Sequence, residues 1–209
     1  MTEEGAKGQQ ARTCVLNTAA RLMRQRGIKP VTMSDIATES GTSKRTIYQM
    51  FADKETLIKC VLYEDVACAV PEDIRRVSNP VEWLLTVMRW AIWEASTTHH
   101  LFYTDLQRLY PELWREYYKR IHMLKLETTG QHVESGMRLG LLRRDVDPVF
   151  AAKLLVELSH AMVHMEAFRS GEGSTNAVAW EYVQIVMRGL ATPEGISVIE
   201  AVLARPDTK

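Results

Sequence analysis

The chain has 209 residues, 46% of them hydrophobic and 25% charged, which suits one large or two small folded domains with a sizeable core. No stretch approaches the roughly 18 apolar residues that cross a bilayer, and Met1 to Gly8 lack the apolar core of an export signal, so a cytoplasmic protein away from membranes is expected. The net charge of zero hides an asymmetry: residues 1–60 carry ten basic side chains against six acidic ones, a local net of +4, so residues 61–209 carry −4. A basic module joined to an acidic one points toward a nucleic-acid partner for the first segment. The three cysteines, Cys14, Cys60 and Cys68, are odd in number and lack metal-ligand spacing, as expected of reduced thiols.

The elements read as helix after helix. Over 12–26, Val15, Ala19, Leu22 and Met23 fall on one helical face, Gly27 stops the run, and Pro30 prevents its continuation. Thr32 starts a short helix over 33–39, with Asp35 placed to complete a capping box, and Ile36 and Ala37 turn inward. Gly41 breaks that helix. Ser43 caps a third over 44–50, with Ile47 inward, and Asp53 caps a fourth that runs toward Cys68. Two short helices across a tight glycine turn, behind a longer first helix, make a helix-turn-helix arrangement.

Pro71 to Pro80 reads as a connection. Helices follow over about 80–97, 99–108 and 111–138, the last opened by Pro111 and closed by Gly140. Asp147-Pro148 opens a helix of about 149–169. Further helices cover about 176–190 and 193–204. No alternating apolar-polar run or hairpin turn is visible, so the fold class is all-α. The division expected is a helix-turn-helix domain over 1–60 and a larger helical domain over 61–209.

The third helix carries the chemistry. Its outward residues Ser43, Lys44, Arg45, Thr46, Tyr48 and Gln49 are hydrogen-bond donors with no carboxylate among them, as a helix in a phosphate-lined major groove requires. The stretch from Thr32 to Leu57 resembles the N-terminal signature of the TetR family of transcriptional regulators. Thr32, Ile36, Ala37, Gly41, Ser43, Ile47, Tyr48, Phe51, Lys54, Glu55 and Leu57 stand at that pattern's places. The match is close over 12–62. Beyond it, Gly136-x-x-x-Gly140 and the run to Pro148 are similar to the family's usual lead-in to a later helix. Thr42, Met50 and Ala52 depart from the common residues.

The resemblance implies that Thr32, Tyr48 and Lys54 touch phosphates, Lys54 from a helix N-terminus. It implies that Lys44, Arg45 and Gln49 face base edges, where arginine pairs with guanine and glutamine with adenine. Ser43 and Thr46 suit either role. It further implies a homodimer on an inverted-repeat operator in double-stranded DNA, repressing until a small molecule binds the second domain; a ligand-independent regulator, or an activator working with a protein partner, is the alternative. Aromatic residues concentrate between 83 and 118. They are chiefly core material, but the resemblance makes Trp90, Trp93, Phe102, Tyr103, Trp114 and Tyr118 candidates to line a ligand cavity. Glu94 and Asp105, in the same region, can meet a positive group or simply face solvent.

The helices of about 149–169 and 176–190 are the expected pairing surface. The first carries Ala151, Ala152, Leu155, Leu158, Ser159, Met162 and Val163, more apolar residues than one buried face needs, and the second Ala179, Val183, Val186, Met187 and Leu190. His160 and His164, four apart on one helix, are better read as core or interface histidines than as ligands, with only Glu157 or Glu166 to join them. No nucleophile elbow, glycine-rich phosphate loop or Cys-x-x-Cys pair occurs, so no catalysis, metal or cofactor is expected.

Overall fold

The computed structural model describes residues 3–67, 70–164 and 175–205. Its described residues form eleven α-helices, and their only β-type pairing is an isolated antiparallel bridge between Leu142 and Ala191. The protein is all-α. In chain order the helices are α1 (Glu3–Arg26), α2 (Met33–Glu39), α3 (Lys44–Met50), α4 (Lys54–Ala67), α5 (Glu72–Arg75), α6 (Pro80–Thr97), α7 (Leu101–Leu109), α8 (Pro111–Arg138), α9 (Pro148–His164), α10 (Thr175–Leu190) and α11 (Pro193–Leu203).

Two boundaries differ from the sequence reading for a simple reason. Residues 3–11 offer no apolar face, so hydrophobic spacing gives no signal for the first turns of α1. The single turn of α5 is too short to show any period, and it is held by burial of Ile74. The predicted helix of 149–169 is described as far as His164; the rest of it lies outside the described residues.

The chain folds as two compact units. One comprises residues 1–69 and 97–120, the other residues 70–96 and 121–209. The first unit therefore extends beyond residue 60 and takes in α7 and the opening turns of α8. Its core explains why: Phe102, Leu106 and Leu113 are buried with Val15, Leu22, Ile36, Ile47, Phe51 and Leu57. In the second unit α6, the rest of α8 and α9 to α11 surround Trp83, Leu84, Leu85, Val133, Leu155, Val183 and Ile199.

The residues expected to pair two copies sit mostly inside the subunit. Ala151, Ala152, Leu155 and Ser159 of α9 are buried, as are Ala179, Val183, Met187 and Leu190 of α10. The side chains of Met162 and Val163 fall outside the description. A different set faces out: Val149, Phe150 and Leu154 on α9, and Val178, Tyr182 and Ile185 on α10. Positions 178, 182 and 185 follow the helical i, i+4, i+7 spacing, so they form one apolar row.

Candidate nucleic-acid interface

The segment from α1 to α4 is built around three side-chain caps. The Thr32 hydroxyl accepts from the Asp35 N–H at 3.2 Å, while the Asp35 carboxylate accepts from the Thr32 N–H at 2.8 Å, which closes the capping box of α2. The Ser43 hydroxyl accepts from the Thr46 N–H at 3.0 Å and so starts α3. The Asp53 carboxylate accepts from the Thr56 N–H at 2.7 Å at the start of α4. These bonds hold the Asp35 and Asp53 carboxyls below the usual carboxylate range; for Asp35 the Thr32 hydroxyl contributes most, for Asp53 the Thr56 N–H. Between α2 and α3, Gly41 adopts φ +64°, the left-handed turn that a side chain resists.

α3 buries Ile47 completely and ends on Phe51, which is 1% exposed. That anchor leaves Lys44, Arg45, Tyr48 and Gln49 in solvent on a helix with no acidic residue. Ser43 and Thr46 bond to each other through their hydroxyls at 2.7 Å, so both also hold the helix start in place. Thr32 is exposed and already spends its hydroxyl on Asp35.

Lys54 occupies an unforeseen place. Its Nζ donates to the Ile28 carbonyl at 2.6 Å and approaches the Lys29 carbonyl at 3.4 Å. Burial lowers its pKa, against the pull of Asp105 and Asp35. The ammonium thus ties the start of α4 to the turn after α1, while one donor hydrogen remains.

Two more residues complete this framework. The Arg12 guanidinium lies 4.4 Å from the centre of the Phe51 ring and donates to the Met50 carbonyl at 3.5 Å and to Cys60 Sγ at 3.3 Å. It fastens α1 to the end of α3. Asp105 on α7 is 8% exposed and accepts from the Lys29 N–H at 2.7 Å, while the His99 N–H donates to the Arg24 carbonyl at 2.6 Å. Gly27, at φ +85°, lets α7 approach: a Cβ there would lie 2.9 Å from Leu101 Cβ. α7 is therefore clamped to the C-terminal end of α1. Sequence did carry a signal for Asp105, which shares the face of Phe102 and Leu106 and is the one acid on that face.

The aromatic candidates divide between the two units. Phe102 is fully buried in the first core, and Tyr103 and Trp114 pack against it. Tyr118 lies against Trp114, ring centres 5.3 Å apart. Trp90 packs on the second core, whereas Trp93 is 59% exposed on the same helix. In the second unit Trp83 stacks on His132 at 3.7 Å, and Lys125 of α8 is half-buried, its pKa lowered by desolvation and opposed by Glu94.

Known proteins share this arrangement. The family described as bacterial regulatory proteins of the tetR family matches residues 15–61, the helices just described. The transcriptional repressor KstR2 of Rhodococcus jostii is 27% identical over 193 residues, which cover 87% of this chain and 92% of that protein. A TetR-family regulator from Cytophaga hutchinsonii superposes with a TM-score of 0.70 at 14% identity, over 89% of this chain and 97% of that one. FadR from Bacillus subtilis, in complex with stearoyl-CoA, does so with a TM-score of 0.63 at 18% identity, over 85% and 98% of the two chains. No helix among the described residues is long and apolar enough to cross a membrane.

Proposed function

We propose that the chain is a TetR-type bacterial regulatory protein, a cytoplasmic repressor released from an inverted-repeat operator by a small molecule. The observation that carries this reading is the exposed, carboxylate-free face of α3, rigidly held by the Ser43 cap and the Ile47 anchor. Lys44, Arg45 and Gln49 are the base readers, and Thr32, Tyr48 and Lys54 meet phosphates, with Ser43 and Thr46 at the margin. Lys54 can give a phosphate its remaining hydrogen without leaving the Ile28 carbonyl.

The protein works as a homodimer. Its support is the apolar row Val178, Tyr182 and Ile185 on α10, together with Phe150 and Leu154 on α9, all of which water covers in a single subunit. A two-fold axis there makes the patch self-complementary and gives the operator its symmetry.

The effector belongs to the second unit. A protein of the same fold holds stearoyl-CoA, which joins a long apolar acyl chain to a polar coenzyme A group. Trp90 and the half-buried Lys125 suit a ligand with an apolar body and a polar group. Such a molecule releases DNA only by binding the non-operator state better, by a few kcal/mol. Selecting bound fragments from genomic DNA tests the DNA half, with a symmetric motif expected and its absence contradicting it. Titrating apolar compounds, with tryptophan fluorescence and operator release followed together, tests the effector half; binding without release sinks that half.

A further inference from the structure

We propose that the second unit binds one first-row divalent transition-metal ion, of the Zn²⁺ class, through His122, Glu157 and His160. His122 comes from α8, and Glu157 and His160 lie three apart on one face of α9. One ligand atom from each falls within 4.8 Å of the other two. His122 Nε2 is 3.8 Å from Glu157 Oε1, and His160 Nδ1 is 4.0 Å from Glu157 Oε2. The two imidazole centres are 5.3 Å apart and tilted by 31°.

The donor chemistry sets the class of ion. Two imidazoles and a carboxylate match the preferences of Zn²⁺, Co²⁺, Ni²⁺ and Fe²⁺, whereas Ca²⁺ and Mg²⁺ favour all-oxygen sites. Bonds of about 2.0–2.2 Å to a tetrahedral ion put neighbouring ligand atoms roughly 3.4 Å apart, so separations of up to 4.8 Å in this cluster have up to about 1.4 Å to close. The closing is easy because the Glu157 side chain is 59% exposed, while His122 and His160 are 24% and 13% exposed and already packed in place. Three protein ligands leave a coordination position open for water or for a donor atom of a small molecule.

Position adds consequence. Glu157 continues the row of Phe150 and Leu154 along α9, so an ion held there joins α8 to the helix face that pairs two copies in the preceding proposal. The binding itself does not depend on that proposal. The other described histidines have different places: His132 stacks on Trp83, and His99 stacks on His100 in the first unit.

The test uses the full, untagged chain, stripped with a chelator and titrated with Co²⁺ alone, then with Zn²⁺ in competition. The expected result is one Co²⁺ per chain, with a visible ligand-field spectrum that Zn²⁺ removes. Glu157→Gln and His160→Asn should each weaken binding by at least ~10-fold, since even outer partners of a metal ligand matter that much. A His99→Asn/His100→Asn double variant should bind as the parent does. Circular dichroism and melting of Glu157→Gln, whose side chain is largely in water, verify that the fold is intact. No visible spectrum at stoichiometric ion, or one unchanged by both site variants, overturns the site and leaves Glu157 as a carboxylate beside two imidazoles. Operator affinity measured on the stripped protein separates the two proposals: metal binding without operator binding rejects the repressor and leaves the site standing.

Discussion

Helices α3 and α10 each bury one face in a core and leave the other in water, yet the two exposed faces are opposites. α3 shows Lys44, Arg45, Tyr48 and Gln49, while α10 shows Val178, Tyr182 and Ile185, and α9 shows Phe150 and Leu154. The buried faces say little about partners, since Ile47 on one and Val183 on the other are alike in being fully enclosed. The residue types left over discriminate. Cations and amides on a helix without carboxylates suit phosphates and base edges, and an uncovered apolar row suits a second copy of the same surface.

The largest effect that can break this contrast lies beneath α3 rather than on it. Phe102→Ala removes a ring from the core that supports the first unit and should cost about 3–5 kcal/mol of stability. Thermal melting measures the loss. A neutral result would detach α7 from that core and return Phe102 to the list of possible ligand contacts.

Ile185→Glu comes next. Ile185 is 68% exposed, so the substitution should leave the subunit's helicity intact while placing a charge in the pairing face. Dimerisation should weaken by at least about 2 kcal/mol, read by sedimentation at micromolar concentration. An unchanged dimer would move the interface away from α10.

On the other face, Arg45→Ala should cost about 1–3 kcal/mol per half-site and relax one base position, while Lys54→Ala should weaken all sequences alike. Lys54→Ala should also lower stability by about 1 kcal/mol, because its Nζ holds the Ile28 carbonyl. Arg45 makes no such bond among the described residues, so melting of the two variants separates the roles.

The smallest effect is set by the caps. Asp35 and Asp53 have folded pKa values below those of the unfolded chain, so their contribution is complete above the ordinary carboxylate range and is lost as pH falls through the lowered values. Melting followed below about pH 4 should show it. Asp35→Asn should flatten that part of the profile, because the amide does not titrate.

What sequence revealed, and what it did not, follows the distance between partners along the chain. Thr32 and Asp35, Ser43 and Thr46, and Asp53 and Thr56 are three residues apart, and each cap is readable from that spacing. Lys54 meets a carbonyl 26 residues away, and Asp105 meets an N–H 76 residues away, contacts that no local pattern encodes. The same limit explains the aromatics. Trp83 to Tyr118 form one cluster in sequence, but α6 and α7 build different cores, so Trp90 and Phe102 part company. It also explains the proposed metal site: His160 and His164 read from their spacing as core or interface histidines, and no local pattern brings His122 of α8 to Glu157 and His160. On α9 and α10 the apolar excess was visible, but its division into a buried and an exposed row needed the packed helices.

Repeating the genomic-fragment selection with Arg45→Ala beside the parent protein tests most directly that α3 reads DNA. The parent should return an inverted repeat, and the variant should return the same repeat with one base position relaxed symmetrically in each half. An identical motif from both proteins, or no symmetric motif from the parent, would contradict the assignment of α3 as the reading helix.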